Sequence, residues 1–368
     1  MSRILYIDPN STSGHSALNR VLIEKFRDLG FTVDLAMRAG YLEELAPPAG
    51  LKRLPLPERY FPHHPGKFSS RFFETLLLLY IRRNLIHREY DYIVFSAFDE
   101  IPLFFSGISG PLILVVHGNV GAMEHPVKRA FMQWVAKRGS LLVFHDFIKL
   151  RCEHFGIRNV LVEPQGLTRP YPPANVATEA VLRAIDPRLV SRAFRHCVFA
   201  PSGSKYRDSF LAETIRDPAF RQFLAHRQIV LVIKHADLPD DFPNVVNLHK
   251  ELTADQYEGL FTFSRGIILS YPKSFTYRVS AILHECFSNQ KPCLLSDIEG
   301  FRIFQRHFRY DPFFNDKSQL ITAIDTICSL DAETARSPYV HMEELEPTFA
   351  ALQKVRANVS NSGGPHAL

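Results

Sequence analysis

Short apolar runs alternate along this chain with longer segments whose apolar residues recur at helical spacing. The first run is Arg3-Ile-Leu-Tyr-Ile7, and a turn-rich loop, Asp8-Pro-Asn-Ser-Thr-Ser-Gly-His15, follows it. Leu18, Val21, Leu22, Phe26 and Leu29 then repeat with the period of a helix, which Gly30 ends. Phe31 to Leu35 reads as the second strand. Further strands are expected at Asp91 to Ser96, Leu112 to Val116, Leu141 to Phe144 and Asn159 to Val162. A second series runs through His196 to Ala200, Ile229 to Ile233, Val245 to Leu248, Gly266 to Leu269 and Pro292 to Leu295. Helices are expected at Lys205 to Thr214 and Ala254 to Phe263. Pro47 to Lys67, rich in proline and histidine, reads as an irregular excursion, and Ser69 to Glu89 as a long basic and apolar helix. Strands that alternate with helices in this way predict an α/β fold with parallel, doubly wound sheets.

A chain of 368 residues is too long for one ordinary core and suits two such domains. The pattern divides it into a first domain over 1–170, a Pro/Ala-rich linker without strands over 171–195 and a second domain over 196–340. A C-terminal segment, 341–368, has a helical stretch from Glu343 to Arg356. Hydrophobic content of 46% and charged content of 22% fit a soluble globular enzyme. A net charge of +5 does not suggest a dedicated nucleic-acid binder, but suits anionic phosphosubstrates or an anionic membrane surface. The five cysteines, at 152, 197, 286, 293 and 328, form no disulfide framework or paired metal-ligand spacing, which implies a reducing, cytoplasmic setting. The opening strand leads us to expect no signal peptide, and Leu76 to Ile81 and Leu112 to Val116 fall far short of the roughly 20 apolar residues that span a membrane.

Chemistry concentrates in Ser270-Tyr-Pro-Lys-Ser-Phe-Thr-Tyr-Arg-Val-Ser-Ala-Ile-Leu-His-Glu-Cys-Phe-Ser-Asn-Gln-Lys-Pro292. This stretch leaves a strand through a polar loop and enters a helix bearing one acid, Glu285, among apolar neighbours. In parallel sheets, ligands sit beyond the carboxyl ends of strands, so this loop lies where chemistry belongs. The stretch resembles the donor-binding motif of retaining GT-B glycosyltransferases, especially the large family 4. That family places a loop glutamate eight positions before a helical glutamate, with a proline seven positions beyond. Glu285 and Pro292 match the second half, and Tyr277 stands where the first acid belongs. The resemblance implies a GT-B fold, two Rossmann-like domains facing a central cleft, with the terminal helix returning toward the first domain. It gives Glu285 the ribose hydroxyls of a nucleotide sugar.

Other segments join the candidate site. Gly14 and His15 close the first loop, where backbone N–H groups at a helix start suit an anion. Val115-Val-His-Gly-Asn119 ends a strand. The resemblance implies that His117 contacts the donor sugar near its reacting carbon, and Asn119 would help to position the acceptor. The resemblance also implies that Phe199-Ala-Pro-Ser-Gly-Ser-Lys-Tyr-Arg207 would supply Lys205 and Arg207 as cations for the donor pyrophosphate, with Ser202 and Ser204 as hydrogen-bond donors. Lys234, after the next strand, is another candidate cation. Arg278, beside Tyr277, would meet a diphosphate or a sugar carboxylate, or pair with a structural acid. His145 and Asp146 read as a helix cap, and Gly166 as a structural turn residue. Arg71, Arg82, Arg83 and Arg88 interleave with Phe72, Phe73, Leu76, Leu77, Tyr80 and Ile81, a mixture that suits either an interfacial helix or a packed one. No metal site is expected. His63-His64 is an isolated pair, and no Asp-x-Asp motif occurs.

The expected activity is transfer of a sugar from a nucleotide diphosphate sugar to a glycan or lipid-linked acceptor. The enzyme would be retaining and metal-independent, need no cofactor and serve bacterial-type surface polysaccharide assembly. A cytoplasmic protein with peripheral contact on the inner face of the membrane fits that activity. A nucleotide-sugar epimerase or a non-catalytic glycan-binding protein on the same fold are the alternatives.

Overall fold

The computed structural model describes residues 2–11, 15–62, 66–86, 90–201, 209–234, 238–239, 241–250, 252–346, 348 and 350. The chain divides into two compact units. One comprises the residues up to Gly166 with the described residues from Glu344 on, and the other is Leu167–Glu343.

The first unit is built on seven parallel strands: β1 (Arg3–Ile7), β2 (Thr32–Arg38), β3 (Lys52–Leu56), β4 (Tyr92–Phe95), β5 (Leu112–Val115), β6 (Gly139–Val143) and β7 (Val160–Val162). They lie in the order β3-β2-β1-β4-β5-β6-β7. All of β4 and β5 is buried, as expected of parallel strands covered on both faces. The direction of winding reverses between β1 and β4, where Ile7 lies level with Phe95. A ligand crevice opens at such a switch point, because the adjoining loops leave in opposite directions.

The strand β3 falls inside the segment expected to be irregular. It lies at the sheet edge and pairs with β2. Its Lys52, Arg53 and Pro55 obscure the strand pattern in sequence, but an edge tolerates charge and a missing N–H. The long helix runs Lys67–Asn84, shorter at its C-terminal end than its periodicity suggests.

The second unit repeats the plan with six parallel strands: β8 (His196–Ala200), β9 (Ile229–Ile233), β10 (Val245–Asn247), β11 (Gly266–Leu269), β12 (Cys293–Ser296) and β13 (Phe313–Phe314). Their order is β10-β9-β8-β11-β12-β13, with the switch between β8 and β11. Phe220, Leu224, Ile229, Leu231, Ile268, Leu294, Ile324 and Ile327 are buried together in its core. Residues 171–195, expected as a linker, carry the helix Val176–Ile185 and belong to this unit. Asn175 and Thr178 cap that helix reciprocally. It packs on the helix Ala254–Phe263 at Gly259, where a Cβ would stand 3.5 Å from Thr178 Cγ2 and Val181 Cγ1.

The expected helix from Glu343 to Arg356 lies mostly outside the described residues, of which Met342–Leu345 form a single tight turn. Among the described residues, no helix is long and apolar enough to cross a membrane.

Candidate functional site

At the switch point of the first unit, the chain leaves β1 at Asp8, which is fully buried. Burial would raise the pKa of this carboxyl, but His15, the Ser11 amide and Asn19 outweigh it and hold the group below the usual carboxylate range. Its Oδ1 accepts from the backbone N–H of Asn10 at 3.0 Å and of Ser11 at 2.9 Å. Its Oδ2 accepts from Asn19 Nδ2 at 2.7 Å and faces His15 Nδ1 at 3.4 Å. Asn19 is fixed in turn by Tyr6, whose hydroxyl donates to Oδ1 at 2.8 Å, and by a bond from Nδ2 to the Tyr41 hydroxyl at 2.8 Å. The result is a buried anion aimed at one histidine.

His15 stacks face to face on His117, with ring centroids 4.8 Å apart and planes 7° apart. His117 follows β5, and its Nε2 lies 2.6 Å from the carbonyl oxygen of Ser96 at the end of β4. That contact requires an N–H at Nε2, which leaves Nδ1 to present a lone pair or a second proton. Asn119 donates from Nδ2 to the Phe98 carbonyl at 3.0 Å and to Glu100 Oε2 at 3.1 Å. Glu100 is buried and pairs with Lys128 at 3.2 Å. Nearby, Arg71, Ile101, Ala122, His125, Val127 and Lys128 line a concavity of about 480 Å³.

In the second unit, Tyr277, Arg278 and Glu285 lie on one segment between β11 and β12. The loop after β11 is held from three sides. The Tyr271 N–H donates to Ser296 Oγ at 2.8 Å. Tyr271 stacks on Phe275 at 4.2 Å, and both rings contact Phe301. Gly300 lies so close beneath the loop that a Cβ there would be 2.3 Å from the Thr276 carbonyl oxygen. Ser280 then caps the helix Ala281–Ser288. Arg278 lies over the Phe275 ring at 5.9 Å.

Glu285 is in the second turn of that helix. Its Oε2 accepts from the Tyr257 hydroxyl at 2.8 Å. Burial pushes the carboxyl up to about 7, partly offset by that bond. Burial, and then the charge of Glu285, drive the Tyr257 phenol well above its ordinary value. Tyr257 therefore remains a donor, and among the described residues it is the hydrogen-bond partner of the carboxylate. A desolvated carboxylate with spare lone pairs is a strong acceptor for ligand hydroxyls. The end of the helix is secured by Ser288 Oγ, which accepts from the Thr168 N–H at 2.9 Å, and by Asn289 Oδ1, which accepts from the Tyr171 N–H at 2.6 Å.

Lys234 is half-buried immediately after β9. Gly14, Ser202, Ser204, Lys205, Arg207 and the His63-His64 pair lie outside the described residues. His145 Nδ1 accepts from the Phe147 N–H at 3.1 Å, so this histidine caps a helix as its sequence context suggests. Gly166 has φ +86°, the left-handed conformation that favours glycine. Sequence reading missed Asp8, Asn19, Glu100, Tyr257, Ser296 and Gly300. Only Asp8 offered a local signal, an acid at the first position beyond a strand.

No protein-family model and no curated protein sequence matches this chain. Solved structures do. The chain superposes on Anabaena HepE, solved with UDP and glucose, with a TM-score of 0.64 at 13% identity, covering 98% of this chain and 100% of that one. The UDP-forming α,α-trehalose-phosphate synthase of Burkholderia vietnamiensis gives 0.59 at 11% identity, covering 98% and 99%. The fold is GT-B. Staphylococcus aureus MnaA, solved with UDP, gives 0.53 at 13% identity, covering 98% and 97%. Identities this low establish architecture, and the GT-B fold hosts several chemistries, so the reaction must be argued from the residues.

Proposed function

We propose that this chain is a glycosyltransferase that moves a hexosyl group from a nucleotide diphosphate sugar to a glycan or lipid-linked acceptor. Glu285 carries the reading. It is a half-buried carboxyl with a raised pKa and a neutral phenol as partner, set beside the loop that leaves the switch strand β11. The ribose of a nucleotide offers two adjacent hydroxyls to such an acceptor. HepE and MnaA were each solved with UDP, and the trehalose-phosphate synthase is described as UDP-forming, which makes a uridine nucleotide the first donor to try.

Lys205 and Arg207, with Ser202, Ser204 and Lys234, would stabilise charge on the departing diphosphate, which is greatest in the transition state. Gly14 and the helix start at His15 would meet the same phosphates or the acceptor. Tyr277 and Arg278 would lie toward the donor sugar. His117, ordered by Ser96 and by its stack on His15, would contact the sugar as positive charge develops at the anomeric carbon. Asn119 and the nearby concavity would take the acceptor. We assign the reaction as retaining and metal-independent, in surface polysaccharide assembly on the cytoplasmic side. The exposed Phe68 and Phe72, on the helix that carries Arg71, Arg82 and Arg83, support peripheral contact with an anionic bilayer.

Tyr277 in place of the loop acid favours a second reading, a GT-B protein that binds nucleotide without transfer. Incubation with UDP-sugars, with and without candidate acceptors, separates the possibilities. Acceptor-dependent release of UDP supports transfer. An altered free sugar nucleotide indicates an epimerase, and binding without turnover indicates the non-catalytic reading.

A further inference from the structure

Parallel strands have two ends, and the donor site uses only the carboxyl ends. At the amino ends of the second sheet, a cation stands beside each of four adjacent strands. Arg227 precedes β9 by two residues, Arg195 directly precedes β8, Arg265 directly precedes β11, and Lys291 precedes β12 by two. His196 is the first residue of β8. Two recesses open on this rim. One, of about 410 Å³, is lined by Arg195, His196, Arg265 and Lys291 among others. The second, of about 280 Å³, shares Arg195 and His196 with it and adds His226, Arg227 and Gln228. Among the described residues, no carboxylate lines either recess.

We propose that these joined recesses form a second ligand site, separate from the nucleotide site, for a soluble small molecule bearing a phosphate or diphosphate group.

Two of the cations also serve the fold. Lys291 Nζ donates to the carbonyls of Thr262 at 2.8 Å and Ser264 at 2.7 Å, and Arg265 donates to those of Ile327 and Leu330, both at 3.0 Å. Those bonds satisfy helix C-termini and fix the cations in place. They use two of the three Nζ–H groups of Lys291 and leave Arg265 Nη1 unassigned. Arg227 is paired with Asp325. Arg195 is different: it is exposed, and among the described residues its guanidinium has no ion-pair partner. The fold therefore accounts for three of the cations but not for Arg195. The local field is positive enough to act on His196, whose pKa is lowered first by burial and then by Arg265, Arg195 and Arg227. An anion that accepts from these groups would relieve that repulsion.

The backbone gives an independent sign. Gln228 and Gln290, one lining each recess, both occupy the left-handed region, at φ +53° and +49°. Both stand just past a helix, where glycine is the usual occupant because it avoids the steric penalty. Retaining a side chain amide at both positions suits a polar ligand, and strained backbone tends to gather at such sites.

The test is calorimetric titration of the full chain with pyrophosphate in phosphate-free buffer at low ionic strength, repeated with saturating UDP present. We expect saturable binding that survives UDP and survives Glu285→Gln. Arg195→Glu should weaken it at least tenfold and leave the melting temperature unchanged, because Arg195 is exposed. Arg195→Ala, a milder change, should weaken it several-fold. The His196 ring protons should shift in NMR spectra as pyrophosphate is added. Equal pyrophosphate affinity in the parent and Arg195→Glu would overturn the proposal. So would full displacement by UDP, which would place pyrophosphate in the nucleotide site. Failure of UDP to bind at all would count against the glycosyltransferase reading but leave this site standing.

Discussion

In its proposed role, Glu285 would serve ligand binding at the expense of stability. Its ordinary pKa is 4.5, and burial in the folded chain lifts it to about 7. Folding therefore favours the protonated form. The associated stability is complete below the unfolded value and is lost as pH rises through about 7. Glu285→Gln keeps the shape and removes the charge. The variant should melt above the parent at pH 8, by relief of up to about 3 kcal/mol, and close to it at pH 5. Melting curves at the two pH values check this. Nucleotide affinity should move the other way at pH 8, falling about tenfold or more, since hydrogen bonds to charged groups contribute about 1.5–3 kcal/mol. His117→Ala removes a first-unit ring that stacks on His15. Nucleotide affinity should be unchanged while transfer falls by about a hundredfold or more, the scale of losing one group that acts on transition-state charge. Melting temperature, affinity and rate measured on that one variant separate a catalytic role from a structural one. Glu285 was legible from sequence because an acid in an apolar helical setting is conspicuous. Its partner Tyr257 was not, because 28 residues and an intervening strand separate the two, and only the fold brings them together. Asp8 stood in plain view, but nothing local shows that it is buried and bonded to Asn19 rather than solvated.

Apolar runs marked the central strands, whose both faces are covered, at the level of elements. The edge strands β7 and β10 were marked in the same way, but β3 carries charges and a proline that its edge position tolerates, and β13 has only two residues, so neither left a comparable pattern. The helix at Val176–Ile185 was missed because the prolines around it dominate the composition. The loop after β11 gives the sharpest element-scale prediction. Gly300→Ala would force its Cβ against the backbone carbonyl of Thr276, which cannot swing aside as a side chain end would. The loop must shift, at a cost of about 1–3 kcal/mol for overpacking. Melting temperature and nucleotide affinity should fall together. The helix Lys67–Asn84 gives another. Phe68 and Phe72, 89% and 60% exposed, sit one turn apart. Replacing both with serine should reduce co-sedimentation with anionic vesicles several-fold, while transfer to a soluble acceptor stays near the parent rate. Equal sedimentation would remove this helix from the membrane proposal.

Over the whole molecule, repetition of one winding plan in two units was readable from the two series of strands. The division itself, between Gly166 and Leu167, falls just before the proline-rich segment rather than within it. Composition marked the prolines, but packing of the helix Val176–Ile185 on Gly259 decides which unit holds them. The central claim is that this GT-B chain binds a nucleotide diphosphate sugar through Glu285, and a ligand that binds only the native state raises its melting temperature. The direct measurement is a melting-temperature panel of nucleoside diphosphates and their sugars at pH 8, on the parent and on Glu285→Gln. The account predicts a concentration-dependent rise for at least one uridine diphosphate ligand in the parent and a much smaller rise in the variant. No rise with any nucleotide, or an equal rise in both proteins, would contradict it.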